Sequence, residues 1–186
     1  MKKYVGMMGV VLSLALIAFA DPVDKTEPSA DPNLDINVDS LCDGVGSLVN
    51  NCGFEAGTYP PPGWTTFGDT SFTGVSGVYA YTGNFGLFAG PTGGPGGIFQ
   101  NVPTTAGQTY ALTFYLRNTD APNSFSVSWN GTVLYSCTNC STFPYTVFGF
   151  NQLMATGSTS EVRFSFYNPP DYFGLDDVIV VPCDQE

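Results

Sequence analysis

Gln108-Thr109-Tyr110-Ala111-Leu112-Thr113-Phe114-Tyr115-Leu116-Arg117 is the stretch that decides the fold class. Tyr110, Leu112, Phe114 and Leu116 point one way, and Ala111, Thr113, Tyr115 and Arg117 point the other. That period of two belongs to an extended strand with one face in a core. Ser124 to Trp129 repeats it, setting Phe125, Val127 and Trp129 against three serines. Asn130-Gly131 follows as a tight hairpin turn into Thr132 to Tyr135. Glu161 to Tyr167 sets Val162, Phe164 and Phe166 against Arg163, Ser165 and Tyr167. Strands with one apolar and one polar face, joined by tight turns, build antiparallel sheets packed face to face. The expected class is therefore all-β, a two-sheet antiparallel β-sandwich. Pro60-Pro61-Pro62-Gly63 and the run Gly90 to Gly97 break the pattern as loops. The second is no phosphate cradle, since neither Gly-Lys-Ser/Thr nor a helix follows it.

The ends read differently. Lys2 and Lys3 precede the apolar run Val10 to Phe19, and Ala18-Phe19-Ala20 fits a cleavage site, so residues 1–20 are expected to be a signal peptide. The run is short for a bilayer span, and no second one follows, so membrane insertion is not expected. Residues 21–43 carry seven acidic residues and three prolines with little to bury, and they read as an acidic, Pro-containing linker. Residues 44–186 form the β-sandwich module.

Without residues 1–20, Lys25, Arg117 and Arg163 stand against 16 acidic residues, a formal charge of −13. Such a surface repels phosphate backbones, so nucleic acid is excluded as a partner. Anionic lipid is disfavoured for the same reason. The chain has no histidine, which removes Ser-His-Asp and Cys-His mechanisms. Glycoside hydrolysis would need two carboxylates at a set separation across a cleft. No motif marks such a pair among Glu55, Asp69, Asp120, Glu161, Asp171, Asp176 and Asp177, so the protein is expected not to be an enzyme.

Several segments, in order, carry a family resemblance: Leu48-Val49-Asn50-Asn51-Cys52-Gly53-Phe54-Glu55, then Gly63-Trp64, Gly83 to Phe88, Ile98-Phe99-Gln100-Asn101-Val102, Ala106 to Phe114, and Phe125 to Gly131. Tyr172-Phe173-Gly174-Leu175-Asp176-Asp177-Val178-Ile179-Val180 closes the series. Together they resemble the galactose-binding-like jelly roll of many carbohydrate-binding modules. They look most like bacterial secreted proteins of this fold that carry a C-terminal Pro-Glu-Pro sorting tail. This chain departs from those at Val181-Pro182-Cys183-Asp184-Gln185-Glu186, so that sorting route is not implied.

The resemblance implies that the first and last motifs are neighbouring strands and that Glu55 and an Asp of the last hold a structural calcium. Calcium collects carboxylate and carbonyl oxygens. Asp176 and Asp177 would face opposite sides of a regular strand, so one ligates by side chain, with Asp177 preferred. Asn84, with Gly83, is a further candidate through backbone carbonyls. The alternative is that these acids hydrogen-bond loop amides. If the two strands are neighbours, Cys42 and Cys183 could staple the ends, and Cys137 and Cys140 could close a small loop. Cys52 would then be left buried, or free to link two chains. A lone Cys-x-x-Cys is weak as zinc or redox chemistry without His or a βαβ setting.

The function expected is a secreted, extracellular, non-catalytic module binding a glycan or polysaccharide. Aromatic rings stack on sugar faces, and amides and hydroxyls read ring oxygens. Tyr115, Arg117 and Asn118 on one strand and Tyr167 on another are the outward candidates. Trp64, Tyr79 and Tyr81 near turns could line a cleft. The alternative is a structural or protein-interaction module of the cell surface or matrix, with an extracellular protein partner, because fold does not fix function.

Overall fold

The computed structural model describes Cys42, residues 46–169 and residues 171–183. The expected signal peptide, all of the acidic linker but Cys42, and residues 184–186 lie outside the described residues.

Ten strands follow in chain order: β1 (Thr65–Gly68), β2 (Thr73–Ser76), β3 (Gly86–Ala89), β4 (Gly96–Pro103), β5 (Thr109–Asn118), β6 (Ser124–Trp129), β7 (Thr132–Thr138), β8 (Phe143–Met154), β9 (Thr159–Tyr167) and β10 (Phe173–Pro182). They form two five-stranded sheets, β1-β4-β9-β6-β7 and β2-β3-β10-β5-β8. Every pairing is antiparallel. The two-sheet sandwich expected from alternation is what the chain builds.

The facing sides interdigitate as the sequence dictates. Leu112, Phe114 and Leu116 of β5 and Leu175 of β10 are fully buried against Val127, Val162 and Phe164 of the other sheet. The Phe164 ring meets Phe114 edge-on, with centroids 5.0 Å apart. Each such side chain contributes about 1.5–3 kcal/mol through burial. The β6–β7 turn is the expected one: Asn130 (φ 48°) and Gly131 (φ 78°) are both left-handed, the conformation that Asn-Gly tolerates and this hairpin demands.

Two expectations need correction. Leu48 to Glu55 is not a strand. It does lie beside β10, where Leu48 N–H donates to the Val180 carbonyl and Val178 N–H to that of Cys52. Asn51 (φ 54°) and Phe54 (φ 59°) turn the backbone left-handed, and Phe54 and Gly57 N–H close successive turns onto Asn51 and Phe54. An extended ladder cannot run through those angles.

The second correction concerns the cysteines. Cys42 pairs with Cys52, not with Cys183, their Cα atoms being 5.7 Å apart. Cys183 is a free, half-buried thiol just past the end of β10, and its N–H donates to the Thr109 carbonyl of β5. Cys42 thus lies against the turn that holds Cys52 rather than beside the end of β10. Cys137 and Cys140 form the small-loop bridge, as expected.

Candidate functional site

The outward side of the second sheet gathers a cluster of rings, Tyr81 exposed and the rest half-buried. On β5, Tyr115 and Arg117 alternate outward between buried Phe114, Leu116 and Asn118. Arg117 lies opposite Gly174 of β10, which in turn lies opposite Phe88 of β3. The missing side chain at Gly174 leaves the room that Arg117 fills: a Cβ there would stand 2.9 Å from both Cγ and Nε of Arg117 and 2.5 Å from Tyr145 Oη. The guanidinium lies 4.4 Å from the Tyr79 ring centre and 5.3 Å from that of Tyr145. Tyr81 stacks on Tyr115 at 3.8 Å, with 20° between ring planes, and approaches Tyr145 at 5.3 Å. Phe88 packs on Tyr79 at 5.1 Å and edge-on to Tyr172 at 5.3 Å.

This face is therefore a run of rings around one cation. Tyr145 Oη donates to the Tyr79 carbonyl at 2.5 Å, tying β8 to the loop after β2. Burial holds the Tyr145 and Tyr79 phenols above their ordinary value, with nearby Arg117 pulling the other way. Both therefore stay neutral hydroxyls at physiological pH. Tyr81 is 43% exposed, so its ring is open to a ligand.

Of the residues singled out from sequence, Tyr79, Tyr81, Tyr115 and Arg117 come together here. Trp64 does not. It is 6% exposed, stacks on Phe54 at 5.8 Å and donates its indole N–H to the Asn51 carbonyl, so it is a core residue. Asn118 is 1% exposed, not outward. It has the parity of Leu116, and its amide donates to the Cys140 and Ser141 carbonyls. Tyr167 ends β9, a strand of the opposite sheet, and shares no face with Tyr115. Sequence reasoning missed Phe88, Tyr145 and Tyr172. Phe88 was within reach, because Leu87 and Ala89 on either side of it are the core-facing pair.

The acidic residues meet at an adjoining loop. Regular pairing of β10 with β5 breaks between Asp176 and Ile179, and Asp177 takes a left-handed φ of 47°. This bulge breaks the period of two. The two carboxylates consequently serve the same loop instead of opposite sides. Asp176 accepts N–H bonds from Tyr81 (2.6 Å), Thr82 (3.3 Å) and Asp177 (2.8 Å). Burial pushes its carboxyl up to about 8, opposed by those N–H bonds and reinforced by the charge of Asp177. Asp177 accepts the Thr82 hydroxyl at 2.7 and 2.9 Å. Glu55 accepts the Asn84 and Phe85 N–H groups at 2.9 and 3.0 Å.

A cavity of about 190 Å³ opens beside them, lined by Glu55, Asp177, Ser47, Asn50, Thr82 and Gly83 among others. Among the described residues no three of Cys, Asp and Glu gather as a metal-binding group. The donors are two carboxylates with neutral hydroxyl, amide and carbonyl oxygens. The Cys42–Cys52 disulfide also lines the cavity, and the oxygen donors beside it, with no cation among the lining residues, suit a hard ion such as calcium. Glu55 and Asp177 are the side chains that would hold it, and the ion would supply charge compensation there. Asp176 does not line the cavity, and all three acids accept hydrogen bonds from the Tyr81–Phe85 loop, the alternative expected for them from sequence. Asn84 is a donor to Glu55 through both its backbone and its side chain and does not line the cavity.

No protein-family model matches the chain, and a search of curated proteins finds no match. Solved structures do match in fold. TmCBM61, solved in complex with β-1,4-galactotriose, superposes with a TM-score of 0.61 at 17% identity, covering 75% of this chain and 100% of that one. A cyclase from Fischerella sp. TAU gives 0.56 at 18%, covering 76% and 98%. The xylan-binding domain from CBM 22 gives 0.55 at 15%, covering 76% and 98%. These three neighbours are thus two carbohydrate-binding modules and a cyclase, and at these identities the likeness is one of fold.

Proposed function

We propose that this chain is a secreted, non-catalytic module that binds a glycan on the outward face of the β2-β3-β10-β5-β8 sheet. In this reading residues 1–20 direct secretion, residues 21–43 are an acidic spacer, and calcium in the Glu55–Asp177 cavity is structural. The observation that carries the reading is the face itself, where Tyr79, Tyr81, Tyr115, Tyr145, Tyr172 and Phe88 surround Arg117. Sugar rings present C–H faces that stack on aromatic rings, and their hydroxyls accept from a guanidinium and exchange hydrogen bonds with phenols. Carbohydrate-binding modules among the fold neighbours support the same reading.

The test is binding of the secreted protein to a broad panel of soluble polysaccharides with calcium present. Saturable binding that free oligosaccharide competes, and that Tyr81→Ala weakens by about tenfold or more, is expected; one stacked ring is worth about 0.5–1.5 kcal/mol beyond its buried area. Silence across the panel, or a Tyr81→Ala variant that binds like wild type, would move the face to a protein-interaction role.

A further inference from the structure

We infer that the ligand of this face carries a carboxylate, as a uronic-acid-containing glycan does, and that Arg117 is the residue that selects it. The inference rests on the glycan-binding reading of the same face.

Only two cations lie among the described residues, Arg117 and Arg163. Arg163 is already matched. Its Nε and Nη2 fork onto the Glu161 carboxylate at 2.8 and 2.9 Å, and its guanidinium covers Phe67 and Phe99 on the other sheet. Arg117 is held in a similar aromatic clasp, between Tyr79 and Tyr145, yet it forms no ion pair among the described residues. Its Nε is buried and has no hydrogen-bond partner. Buried polar groups are nearly always satisfied, and orphans call for an explanation. Arg117 is half-buried in the ring-lined face with no carboxylate among the described residues paired to it, and that unmatched guanidinium points to a bound molecule that supplies acceptors.

The kind of acceptor follows from the cation. Cation–π contact returns part of the cost of drawing a guanidinium out of water, while a carboxylate answers its planar fork with two parallel charge-assisted bonds. Of the acids near the face, Asp176 and Asp177 accept from the Tyr81–Thr82 loop and are fully buried, and Asp171, whose charge reaches Tyr79, forms no ion pair with Arg117 among the described residues. The chain's net negative charge opposes an anionic ligand at long range. Salt screens that repulsion beyond about 8 Å under physiological conditions, while the local pair is screened much less.

The experiment compares three probes on the secreted protein at fixed calcium and 150 mM salt: oligogalacturonate, its fully methyl-esterified form, and a neutral galacto-oligosaccharide of equal length. The acid form should bind roughly ten- to a hundredfold more tightly than its ester, the range of a charge-assisted hydrogen bond. Arg117→Met should abolish that preference, and Arg117→Lys should restore only part of it, because an ammonium keeps the charge without the fork. Equal binding of acid and ester by wild type overturns the inference and leaves the glycan reading standing, and no variant is needed to see it. Binding of the neutral probe alone does the same. Silence with all three probes and across the wider panel overturns both. A preference for the acid that survives in Arg117→Met overturns the role of Arg117.

Discussion

Gly174→Ala is the sharpest test of how the ring-lined face is built. Gly174 sits mid-sheet, between Arg117 on one side and Phe88 on the other. An added Cβ would lie 2.5 Å from Tyr145 Oη and 2.9 Å from two atoms of Arg117. Neither neighbour retreats freely. Tyr145 is anchored through its hydroxyl to the Tyr79 carbonyl, and Arg117 is pressed by Cγ, in its stem, as well as by Nε. Overpacking of this kind costs about 1–3 kcal/mol, and losing the tyrosine hydrogen bond adds about 1 kcal/mol. The expected destabilisation is therefore roughly 2–4 kcal/mol, or about 6–12 °C in Tm at some 3 °C per kcal/mol for a domain of this size. Urea unfolding followed by tryptophan fluorescence measures it, with Gly94→Ala as the control, because nothing lies within 4 Å of the Cβ position there. The control should stay within about 0.5 kcal/mol of wild type. A Gly174→Ala protein as stable as its control would show that Arg117 and Tyr145 do not cross β10 as described.

Four further outcomes are expected. EDTA should lower the Tm and added calcium restore it, by about 2.7 kcal/mol at a hundredfold excess over Kd; Asp177→Asn should remove most of the difference, and a Tm indifferent to EDTA would dispose of the ion. Trp64→Ala should cost about 3–5 kcal/mol as a core truncation, while Trp64→Phe should bind glycan like wild type if binding is measured well below its Tm. Thiol labelling of the unreduced, denatured protein followed by mass analysis should find one alkylated cysteine, Cys183; labelling at Cys52 would contradict the Cys42–Cys52 bridge. The hydrogen bond from Arg163 holds the Glu161 carboxyl below its ordinary 4.5. The pair's contribution is thus complete above that value and lost as pH falls through the lower folded one, so Glu161→Gln should flatten the acid limb of stability, by under about 1 kcal/mol for a partly exposed pair.

The sandwich was legible because its longest inner strands alternate cleanly. The parity of Tyr110, Leu112, Phe114 and Leu116 needs no partner strand to be read. The hairpin was legible because Asn130-Gly131 has one favourable geometry. The same parity, carried one step further, places Asn118 inward with Leu116; grouping it with Arg117 ignored the period. Asp176 and Asp177 misled for the opposite reason: the period was applied where a bulge suspends it, and one left-handed residue cannot be seen in a run of Val, Ile and Asp. Leu48 to Glu55 reads as a strand from its resemblance alone, and its path is set by turns at Asn51 and Phe54. Tyr145 and Tyr172 join the face only through pairings between strands distant in sequence. Such juxtapositions belong to topology, not to any local pattern.

The stretch from Tyr79 to Phe85 has two occupations at once. Its first residues give the sheet face Tyr79 and Tyr81. Its amides and the Thr82 hydroxyl answer Asp176, Asp177 and Glu55. Two binding events that both depend on one short segment share its ordering cost. Whatever factor an ion in the cavity lends to the hold on a sugar, the sugar must lend back to the hold on the ion. If both partners bind, titrations of either are interpretable only with the concentration of the other stated.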